Sequence, residues 1–295
     1  MPTLRDLFCI RDSPSFLMEA HDALSAAIAQ RAGFKALWAS GLSISSSLGY
    51  RDTNEASWSE VADVVERMAR VANIPILVDG ETGFGNFNNA RLVAAHLHRR
   101  GASGICIEDK IFPKTNSFIG DHHPLADVEE FCGRLKAVKD TVPDHRFVLV
   151  ARIEALIAGY GQDEALFRAQ AYAEAGADAI LIHSRRPDPT EILAFAHSWQ
   201  NHLPVVIVPT KYYRTPVAEY RAAHISAVIW ANHNMRAAIA AMRNVCNRII
   251  REEGIAGIEP DVAPLEELFE LMAYDELATA ETHYLWPKTA DGALR

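Results

Sequence analysis

The sequence predicts an α/β protein in which eight parallel strands close into a (β/α)8 barrel, the TIM-barrel fold. Short apolar segments recur along the chain, and their lack of polar alternation is typical of strands buried on both faces. Amphipathic helical stretches separate them, and several of these end in Ala-Gly-Ala or Arg-Gly-Ala, where glycine can end the helix before the next strand. The glycine-rich turn of an open dinucleotide-binding sheet is missing after the first strand, so we prefer the barrel.

The predicted strands and helices alternate in order along the chain. The strands are the apolar segments at residues 16–22, 36–41, 75–79, 104–108, 147–152, 178–183, 203–208 and 226–230. The clearest helical stretches between them are residues 23–32, 58–71, 89–100, 164–175 and 189–199. In a closed barrel the side chains that follow the strands meet at one end, which is where active sites are built.

Length and composition indicate one large barrel rather than several small domains. The chain has 295 residues, of which 49% are hydrophobic, and no linker or low-complexity segment divides it. Helical stretches at residues 236–253 and 264–282 remain after the last strand. We therefore predict a single barrel domain over residues 1–295 with a C-terminal helical extension from about residue 236, whose helices pack on a partner subunit or across the barrel's end.

Charge, hydropathy and cysteine spacing argue against several classes of function. The net charge of −9 and the absence of a Lys/Arg run argue against a nucleic-acid partner. No apolar run of about 18 residues is present and the start of the chain does not read as a signal peptide, so we expect a cytoplasmic protein without a membrane partner. The cysteines lack metal-ligand spacing and are expected to be free thiols; they are Cys9, Cys106, Cys132 and Cys246.

Carboxylates follow two neighbouring strands. Asp79 and Glu81 come at the end of the third predicted strand, and Glu108 ends the fourth. Carboxylate oxygens that converge in this way are typical ligands of Mg²⁺ or Mn²⁺, and their like charges would repel one another without a cation. The alternative is that each acid pairs with a neighbouring Arg or Lys.

Basic and hydroxyl residues end other strands. Arg152 is a candidate for bidentate binding of a carboxylate or phosphate, or for a salt bridge to Glu154. At such a position His183 is more often a hydrogen-bond donor than a ligand of a hard cation. Ser40 and Gly41 end the second strand, and the glycine allows a close backbone approach, so N–H groups there can bind a carboxylate or an oxyanion.

Two polar loops can reach the mouth of the barrel. The first, residues 43–59, contains Asp52, which is either an N-cap or solvated acid, or a nucleophile toward phosphorus if cations poise it. The second places two acids, two lysines, an amide and hydroxyls within residues 108–118. It is either a solvated loop or a set of groups that water, a metal or an anionic ligand satisfies.

Five motifs together resemble one enzyme superfamily. They are Gly49-Tyr50-Arg51-Asp52 and residues 79–86 (DGETGFGN), 108–117 (EDKIFPKTNS), 152–155 (RIEA) and 179–184 (AILIHS). The chain resembles, over essentially its whole length, the phosphoenolpyruvate mutase and isocitrate lyase superfamily, and within it the mutases most closely. The resemblance implies a (β/α)8 barrel whose late helix is swapped between paired subunits, giving a homotetramer built from two helix-swapped dimers.

The resemblance also implies roles for the candidate residues. Asp79 is expected to anchor Mg²⁺, with Glu81 and Glu108 holding its water shell, and Mn²⁺ is the other candidate ion. The residues expected to line a pocket for a pyruvyl group are Trp38, Ser40, Gly41 and Leu42. The expected catalytic residues are Asp52 as phosphoryl acceptor, Arg152 and His183 at the charged ends of the substrate, and Lys114, Asn116 and Ser117 on a gating loop. One departure is that the family commonly has Asp-Ala-Asp at residues 79–81, where this chain has Asp-Gly-Glu.

The implied reaction is the isomerisation of phosphoenolpyruvate and 3-phosphonopyruvate, which would make the protein an isomerase (phosphomutase) with a small-molecule substrate in phosphonate biosynthesis. Two other reactions of the superfamily remain open. A phosphonopyruvate hydrolase gives pyruvate and phosphate, but the hydrolase pattern lacks the asparagine found here at Asn116. The condensing carbon–carbon lyases have a catalytic cysteine in a Lys-Lys-Cys-Gly-His loop, where this chain has Lys-Thr-Asn-Ser at residues 114–117.

Overall fold

The computed structural model describes residues 2–10, 13–120 and 122–285, and the strands within them form a closed parallel barrel. The strands are β1 Ser15–Ala20, β2 Ala36–Ala39, β3 Ile76–Asp79, β4 Gly104–Glu108, β5 Val148–Ile153, β6 Ala179–Ile182, β7 Val205–Ile207 and β8 Ala227–Trp230. Each strand pairs with the next one along the chain, and β8 pairs with β1 to complete the ring. The predicted (β/α)8 fold is confirmed.

Helices connect the strands and continue after the last one. Those of the barrel are α1 Leu4–Phe8, α2 Ala23–Arg31, α3 Gly41–Ser47, α4 Trp58–Val71, α5 Phe87–Arg99, α6 Val128–Thr141, α7 Gly161–Glu174, α8 Thr190–Trp199 and α9 Val217–Ala222. Those that follow β8 are α10 His233–Glu252, the short 3-10 helix Glu259–Asp261, α11 Leu265–Leu271 and α12 Tyr274–Tyr284. The C-terminal helices that the sequence predicted are therefore present.

The sequence did not indicate α3, which begins before the loop predicted for residues 43–59. Serine is a weak helix former, so three consecutive serines obscure the pattern. Ser40 caps the helix, because its hydroxyl oxygen accepts a hydrogen bond from the N–H of Ser43, and Ile44 is buried beneath it. A helix therefore starts directly at the end of β2, and its first turn lies at the active end of the barrel.

Successive strand residues contribute to two separate apolar cores. Leu37 packs in the layer between the strands and the surrounding helices, whereas its neighbour Trp38 belongs to the cluster inside the barrel. This alternation follows from the two-residue period of a strand. The inner cluster also contains Leu4 and Phe8 of α1, and its members are almost fully buried. The barrel interior is thus filled with apolar side chains, and the polar groups collect at the C-terminal ends of the strands.

The chain divides into two compact units, Met1–Ala238 and Ile239–Arg295. In the described part of the second unit, residues 239–285, Ile258 is the single buried hydrophobic side chain. The sequence predicted one helical stretch over residues 264–282, but Ala273 has a left-handed backbone with a φ of 54° and separates α11 from α12. None of the helices in the described residues is long and apolar enough to span a membrane.

Candidate active site

A cavity of about 60 Å³ lies at the C-terminal ends of the strands. This volume is far below the roughly 300–1,000 Å³ of ordinary ligand pockets. Ten of the thirteen site residues that the sequence singled out line this cavity. The other three contact residues of the lining: Gly41 contacts Asp79, Glu81 contacts Lys114, and Glu108 contacts Arg152. The barrel therefore brings all the predicted site residues together.

Asp79 and Glu81 are held in place by the backbone at the end of β3. Asp79 Oδ2 accepts a hydrogen bond from the N–H of Gly41, and Oδ1 accepts one from the N–H of Glu81, both at 3.3 Å. Glu81 has a φ of 56°, a left-handed conformation that is costly for a residue other than glycine and is found at functional sites. A Cβ at Gly41 would lie 2.5 Å from Glu81 Oε1, so any other residue there would force the end of the Glu81 side chain to move.

Some carboxylate oxygens of Glu81 and Glu108 accept no hydrogen bond from the described residues. Within the described residues, Glu81 Oε2 and both side-chain oxygens of Glu108 accept no hydrogen bond and meet Lys114 and Arg152 only as ion pairs. Burial raises the pKa of Asp79 and of Glu81, and repulsion from the neighbouring acids adds to the effect. A cation is the group that such a cluster of buried, under-bonded carboxylates fits.

The cluster fits a hydrated ion better than a bare one. Among the described residues, no three acidic, histidine or cysteine side chains are grouped to hold one ion directly. Mg²⁺ commonly keeps several of its waters and takes only one or two carboxylates from the protein. The donor set of Asp79, Glu81 and Glu108 is consistent with one anchoring carboxylate and two that accept hydrogen bonds from water.

Lys114 provides a positive charge among these acids. Its Nζ lies 2.6 Å from Glu81 Oε2, 3.0 Å from Asp52 Oδ1 and 4.0 Å from Glu108 Oε1. Burial lowers the pKa of Lys114, but the charges of the acids outweigh burial and raise the pKa well above its ordinary value. The pairing of the acids with a neighbouring lysine, which the sequence left open, is thus present in the structure.

Asp52 faces the loop that follows β4. Asn116 Nδ2 donates a hydrogen bond to Asp52 Oδ2 at 2.5 Å, and the N–H of Lys114 donates to Asn54 Oδ1 at 2.7 Å. Asp52 is neither solvated nor an N-cap, because it is 8% exposed and Ser57 caps the following helix. Burial raises the pKa of Asp52, but the charge of Lys114 and the hydrogen bonds from Lys114 and Asn116 lower it by more. The pKa of the carboxyl therefore lies below its usual value, and the group is ionised.

Arg152 and His183 share one buried acid, Glu154. Arg152 Nε donates to Glu154 Oε1 at 2.6 Å and also lies 3.2 Å from Glu108 Oε2, so the salt bridge considered from the sequence is present. His183 Nδ1 lies 2.8 Å from Glu154 Oε1, and because an ionised carboxylate can only accept, we assign the ring proton to Nδ1. Burial is the main cause that lowers the pKa of His183. The ring is therefore neutral, and its buried Nε2 is an acceptor without a partner among the described residues.

Glu108 and Asp109, at the end of β4, have different surroundings. Glu108 belongs to the site, whereas Asp109 accepts hydrogen bonds from Tyr172 OH at 2.7 Å and from Arg168 Nη1 at 3.1 Å on α7. The backbone oxygen of Asp109 also accepts a hydrogen bond from the N–H of Ala126 at 2.8 Å. Asp109 thus ties the two ends of the segment that follows β4 to the outer helices. The described residues of this segment, 110–120 and 122–125, are called here the covering loop.

Several residues of the cavity had no assigned role in the sequence. These additional lining residues are Phe118, Val208, Thr210, Ala231 and Asn232. Phe118 packs edge-on to the ring of His183, and Lys211 Nζ lies 4.8 Å from the centre of the Phe118 ring. Thr210 and Asn232 follow β7 and β8, so their position at strand ends was a usable signal, but no chemistry in their side chains distinguished them from ordinary loop residues.

Comparison with known proteins agrees with this geometry. The family model described as phosphoenolpyruvate phosphomutase matches residues 4–250. A phosphoenolpyruvate phosphomutase of Tetrahymena pyriformis is 52% identical over 272 residues, covering 92% of this chain and 91% of the relative. The crystal structure of phosphoenolpyruvate phosphomutase from Streptomyces platensis subsp. rosaceus superposes with a TM-score of 0.93 at 42% identity, covering 96% of this chain and 98% of the other. A phosphonopyruvate hydrolase in complex with oxalate and Mg²⁺ has a TM-score of 0.90 at 40% identity, with 96% and 98% covered. The chain belongs to the phosphoenolpyruvate phosphomutase family.

Proposed function

We propose that the protein is a phosphoenolpyruvate mutase, an isomerase that interconverts phosphoenolpyruvate and 3-phosphonopyruvate. The observation that carries this proposal is the hydrogen bond between Asn116 and Asp52, which places a loop amide directly on the candidate phosphoryl acceptor. A loop that covers this carboxylate excludes water from it, and an isomerase that forms a P–C bond needs that exclusion. The relatives named phosphoenolpyruvate phosphomutase support the same reaction.

We propose Mg²⁺, with Mn²⁺ as an alternative, as the cofactor. Asp79 is proposed to hold the ion and Glu81 and Glu108 its waters, because these two glutamates have buried oxygens without hydrogen bonds. When bound, the ion supplies positive charge next to an enolate oxygen. The presence of Mg²⁺ with oxalate in the related hydrolase is consistent with this choice. Glu81 is one methylene longer than the usual aspartate, and its left-handed backbone sets where that longer side chain reaches.

The pyruvyl end of the substrate is proposed to bind against Trp38, Ser40, Gly41 and Leu42. The indole of Trp38 is 2% exposed and provides an apolar wall. Gly41 and Leu42 form the first turn of α3, where N–H groups have no carbonyl partner within the helix. The N–H of Gly41 donates to Asp79 in this structure, so the substrate carboxylate would share this turn with the metal-binding acid.

Phosphoryl transfer is proposed to take place through Asp52. Its carboxylate attacks phosphorus, the bond from phosphorus to the enol oxygen breaks, and the pyruvate enolate remains. Carbon 3 of the enolate then takes the phosphoryl group from Asp52, which forms the P–C bond and restores the carboxylate. Lys114 and Asn116 hold Asp52 in position and donate to the transferred oxygens. A transfer in which phosphorus never bonds fully to Asp52 needs the same side chains.

Arg152 and His183 are proposed to contact the charged ends of the substrate. Arg152 keeps its positive charge, because its pKa is raised well above the ordinary value by Glu154 and Glu108 despite the opposing effect of burial. His183 presents Nε2 to the cavity, where it can take a proton from a protonated acid group of the substrate. The imidazolium formed in this way would be stabilised by Glu154 at Nδ1.

Two reactions of related enzymes are the alternatives. In a hydrolase, a water oxygen takes the phosphoryl group to give phosphate, and the enolate is protonated at carbon 3 to give pyruvate. The hydrogen bond from Asn116 to Asp52 favours the isomerase over the hydrolase, because it covers the carboxylate against water. A condensing lyase needs an acidic cysteine, and the covering loop contains none. Cys106 is buried on β4 with a pKa that burial raises well above its usual value, so it cannot take that role.

The test is ³¹P NMR of the purified protein with Mg²⁺ and phosphonopyruvate. The proposal predicts that the phosphoenolpyruvate signal grows, that EDTA stops the change, and that added Mg²⁺ restores it. Inorganic phosphate that appears without phosphoenolpyruvate would identify a hydrolase. No change of the phosphorus signals, with metal present, would favour the lyases. The role in phosphonate biosynthesis that the resemblance implies would require a further enzyme that consumes phosphonopyruvate.

We also propose that the protein is a homotetramer of helix-swapped dimers, with one barrel domain and a C-terminal extension in each chain. Two observations support this assembly. Phe16, Leu24 and Ile28 on and next to β1 are 37%, 39% and 45% exposed on the barrel. Residues 239–285 expose a series of large apolar side chains, among them Ile250 at 82%. Exposed apolar surfaces of this kind are typical of subunit contacts. Multi-angle light scattering tests the proposal, which predicts four chains in the particle.

A further inference from the structure

Lys110 is buried at the start of the covering loop, and nothing in the proposed chemistry uses it. Its side chain is 2% exposed, and its Nζ contacts three oxygens: the backbone oxygen of Thr115 at 2.9 Å, Ser117 Oγ at 2.6 Å and Glu154 Oε2 at 3.1 Å. A buried ammonium is stable only when oxygens surround it in this way. Two of the three oxygens belong to the covering loop itself.

Glu154 connects this loop to the cavity. Its Oε2 accepts a hydrogen bond from Ser117 Oγ at 2.6 Å, while its Oε1 contacts Arg152 and His183. Burial raises the pKa of Glu154, but Arg152, His183 and Lys110 together hold it well below the ordinary value. The ionised carboxylate therefore contacts the loop through one oxygen and the substrate-binding side chains through the other.

Ser117 has no bonding capacity left for a substrate in this arrangement. Its hydroxyl donates to Glu154, and its oxygen lies within hydrogen-bond distance of Lys110 Nζ and of Arg152 Nη2 at 3.1 Å. A serine hydroxyl has one hydrogen and two lone pairs, and all three are used. Ser117 is thus an anchor point of the loop.

We propose that Lys110 and Glu154 form a latch that keeps the covering loop closed and couples this closure to the orientation of Arg152 and His183. The two residues are positioning residues and do not contact the substrate. If the loop opens, Lys110 loses the oxygens of Thr115 and Ser117 and keeps only Glu154, so the buried charges favour the closed loop. A cavity of about 60 Å³ cannot admit phosphoenolpyruvate, so the latch must release in every turnover.

The latch also affects which products form, and this consequence rests on the proposed function. A closed loop leaves carbon 3 of the enolate as the only acceptor of the phosphoryl group. When the loop opens early, a water oxygen takes the phosphoryl group, which yields phosphate, and the enolate takes a proton at carbon 3 to become pyruvate. Weakening the latch is therefore expected to increase pyruvate and phosphate relative to the isomerised product.

The test compares Lys110→Met with the wild type and with a control, Lys136→Met, at an exposed lysine on α6. Methionine has a similar length and no charge. Trypsin is added to each protein, and the peptide that begins at Thr115, which is the same in all three proteins, is followed by mass spectrometry. Lys114 is 6% exposed, so trypsin cuts after it only when the loop opens. The latch predicts that Lys110→Met is cut at Lys114 at least about tenfold faster, with no change in the control. Cleavage at the wild-type rate in a folded variant would overturn the proposal.

A second variant covers the case in which Lys110→Met does not fold, as judged by circular dichroism. Ser117→Ala removes the hydroxyl shared by Lys110 and Glu154 and leaves both charges in place. The latch predicts faster cleavage at Lys114 in this variant too, and an unchanged rate would contradict it. Cleavage needs no substrate, so this result stands if the proposed reaction is wrong. The ratio of pyruvate to isomerised product, measured separately, tests the consequence for the reaction.

Discussion

Asn116 and Asp52 are joined by a hydrogen bond of 2.5 Å, although 64 residues separate them in the chain. One residue belongs to the covering loop after β4 and the other to the loop after α3. The contact encloses a carboxylate that Lys114 keeps ionised. The proposed nucleophile and the proposed barrier to water therefore share one contact, which is the arrangement that an internal phosphoryl transfer needs.

Asp52→Asn is expected to abolish turnover, with a loss of at least about 10³-fold in kcat, because the amide cannot accept the phosphoryl group. The substitution preserves the shape of the side chain, so binding of oxalate in the presence of Mg²⁺, measured by calorimetry, is expected to persist. Glu55→Gln in the same loop is the matched control and should keep normal activity, since Glu55 is exposed and, among the described residues, pairs only with Arg51. Full activity of Asp52→Asn would refute the assigned role.

Gly41→Ala is expected to weaken the response to Mg²⁺. The new Cβ would lie 2.5 Å from Glu81 Oε1 and 3.1 Å from Asp79 Oδ2, so it displaces both acids. We expect the Mg²⁺ concentration that gives half-maximal activity to rise by about tenfold or more, in the range seen when the surroundings of metal ligands are changed. Gly133→Ala on α6 is the control, because no atom lies within 4 Å of its new Cβ. Equal Mg²⁺ dependence of the two variants would contradict the account of Gly41.

Tyr172→Phe is expected to lower the free energy of unfolding by about 1–3 kcal/mol, because it leaves the buried carboxylate of Asp109 without one of its donors. Tyr212→Phe is the matched control. Tyr212 is equally buried, but its OH has no hydrogen-bond partner among the described residues, so its removal should cost little. Urea unfolding of the two variants measures the difference. Equal losses would show that the contact with Asp109 contributes nothing to stability.

His21 is expected to make stability depend on pH. Its pKa is raised above the ordinary 6.5, first by its hydrogen bond to Glu19 at 2.6 Å and further by the charges of Glu19 and Asp22, while burial opposes the shift. A raised pKa in the folded state stabilises the protein below the pKa of the unfolded chain, and this stabilisation is lost as the pH rises through the folded-state value.

The pH dependence can be measured by urea unfolding of the wild type and His21→Gln at about pH 5.5 and about pH 8.5. The difference in unfolding free energy between the two proteins should be larger at the lower pH. His122→Gln, at an exposed position, is the control and should show no such change. A difference for His21→Gln that is the same at both pH values would contradict the pKa shift.

The sequence was sufficient to predict the barrel and the acids at its active end, because continuous apolar strands specify a parallel sheet and its topology brings the strand ends together. It could also have separated Glu108 from Asp109, since neighbouring residues of a strand point to opposite faces. The contact between Lys110 and Glu154 could not be predicted from the sequence. The two residues follow the neighbouring strands β4 and β5, each two residues beyond the paired Glu108 and Arg152, and the register that sets them opposite one another is not visible in the sequence pattern.

The most direct test of the account is the product ratio of Asn116→Ala, followed by ³¹P NMR with phosphonopyruvate and Mg²⁺. Thr115→Ala is the control, since Thr115 is exposed and only its backbone oxygen is used. If Asn116 closes the loop over Asp52, the wild type and the control form phosphoenolpyruvate, and Asn116→Ala forms phosphate directly in a larger share of turnovers. The same product ratio in all three proteins would contradict the claim that this contact directs phosphorus to carbon instead of water.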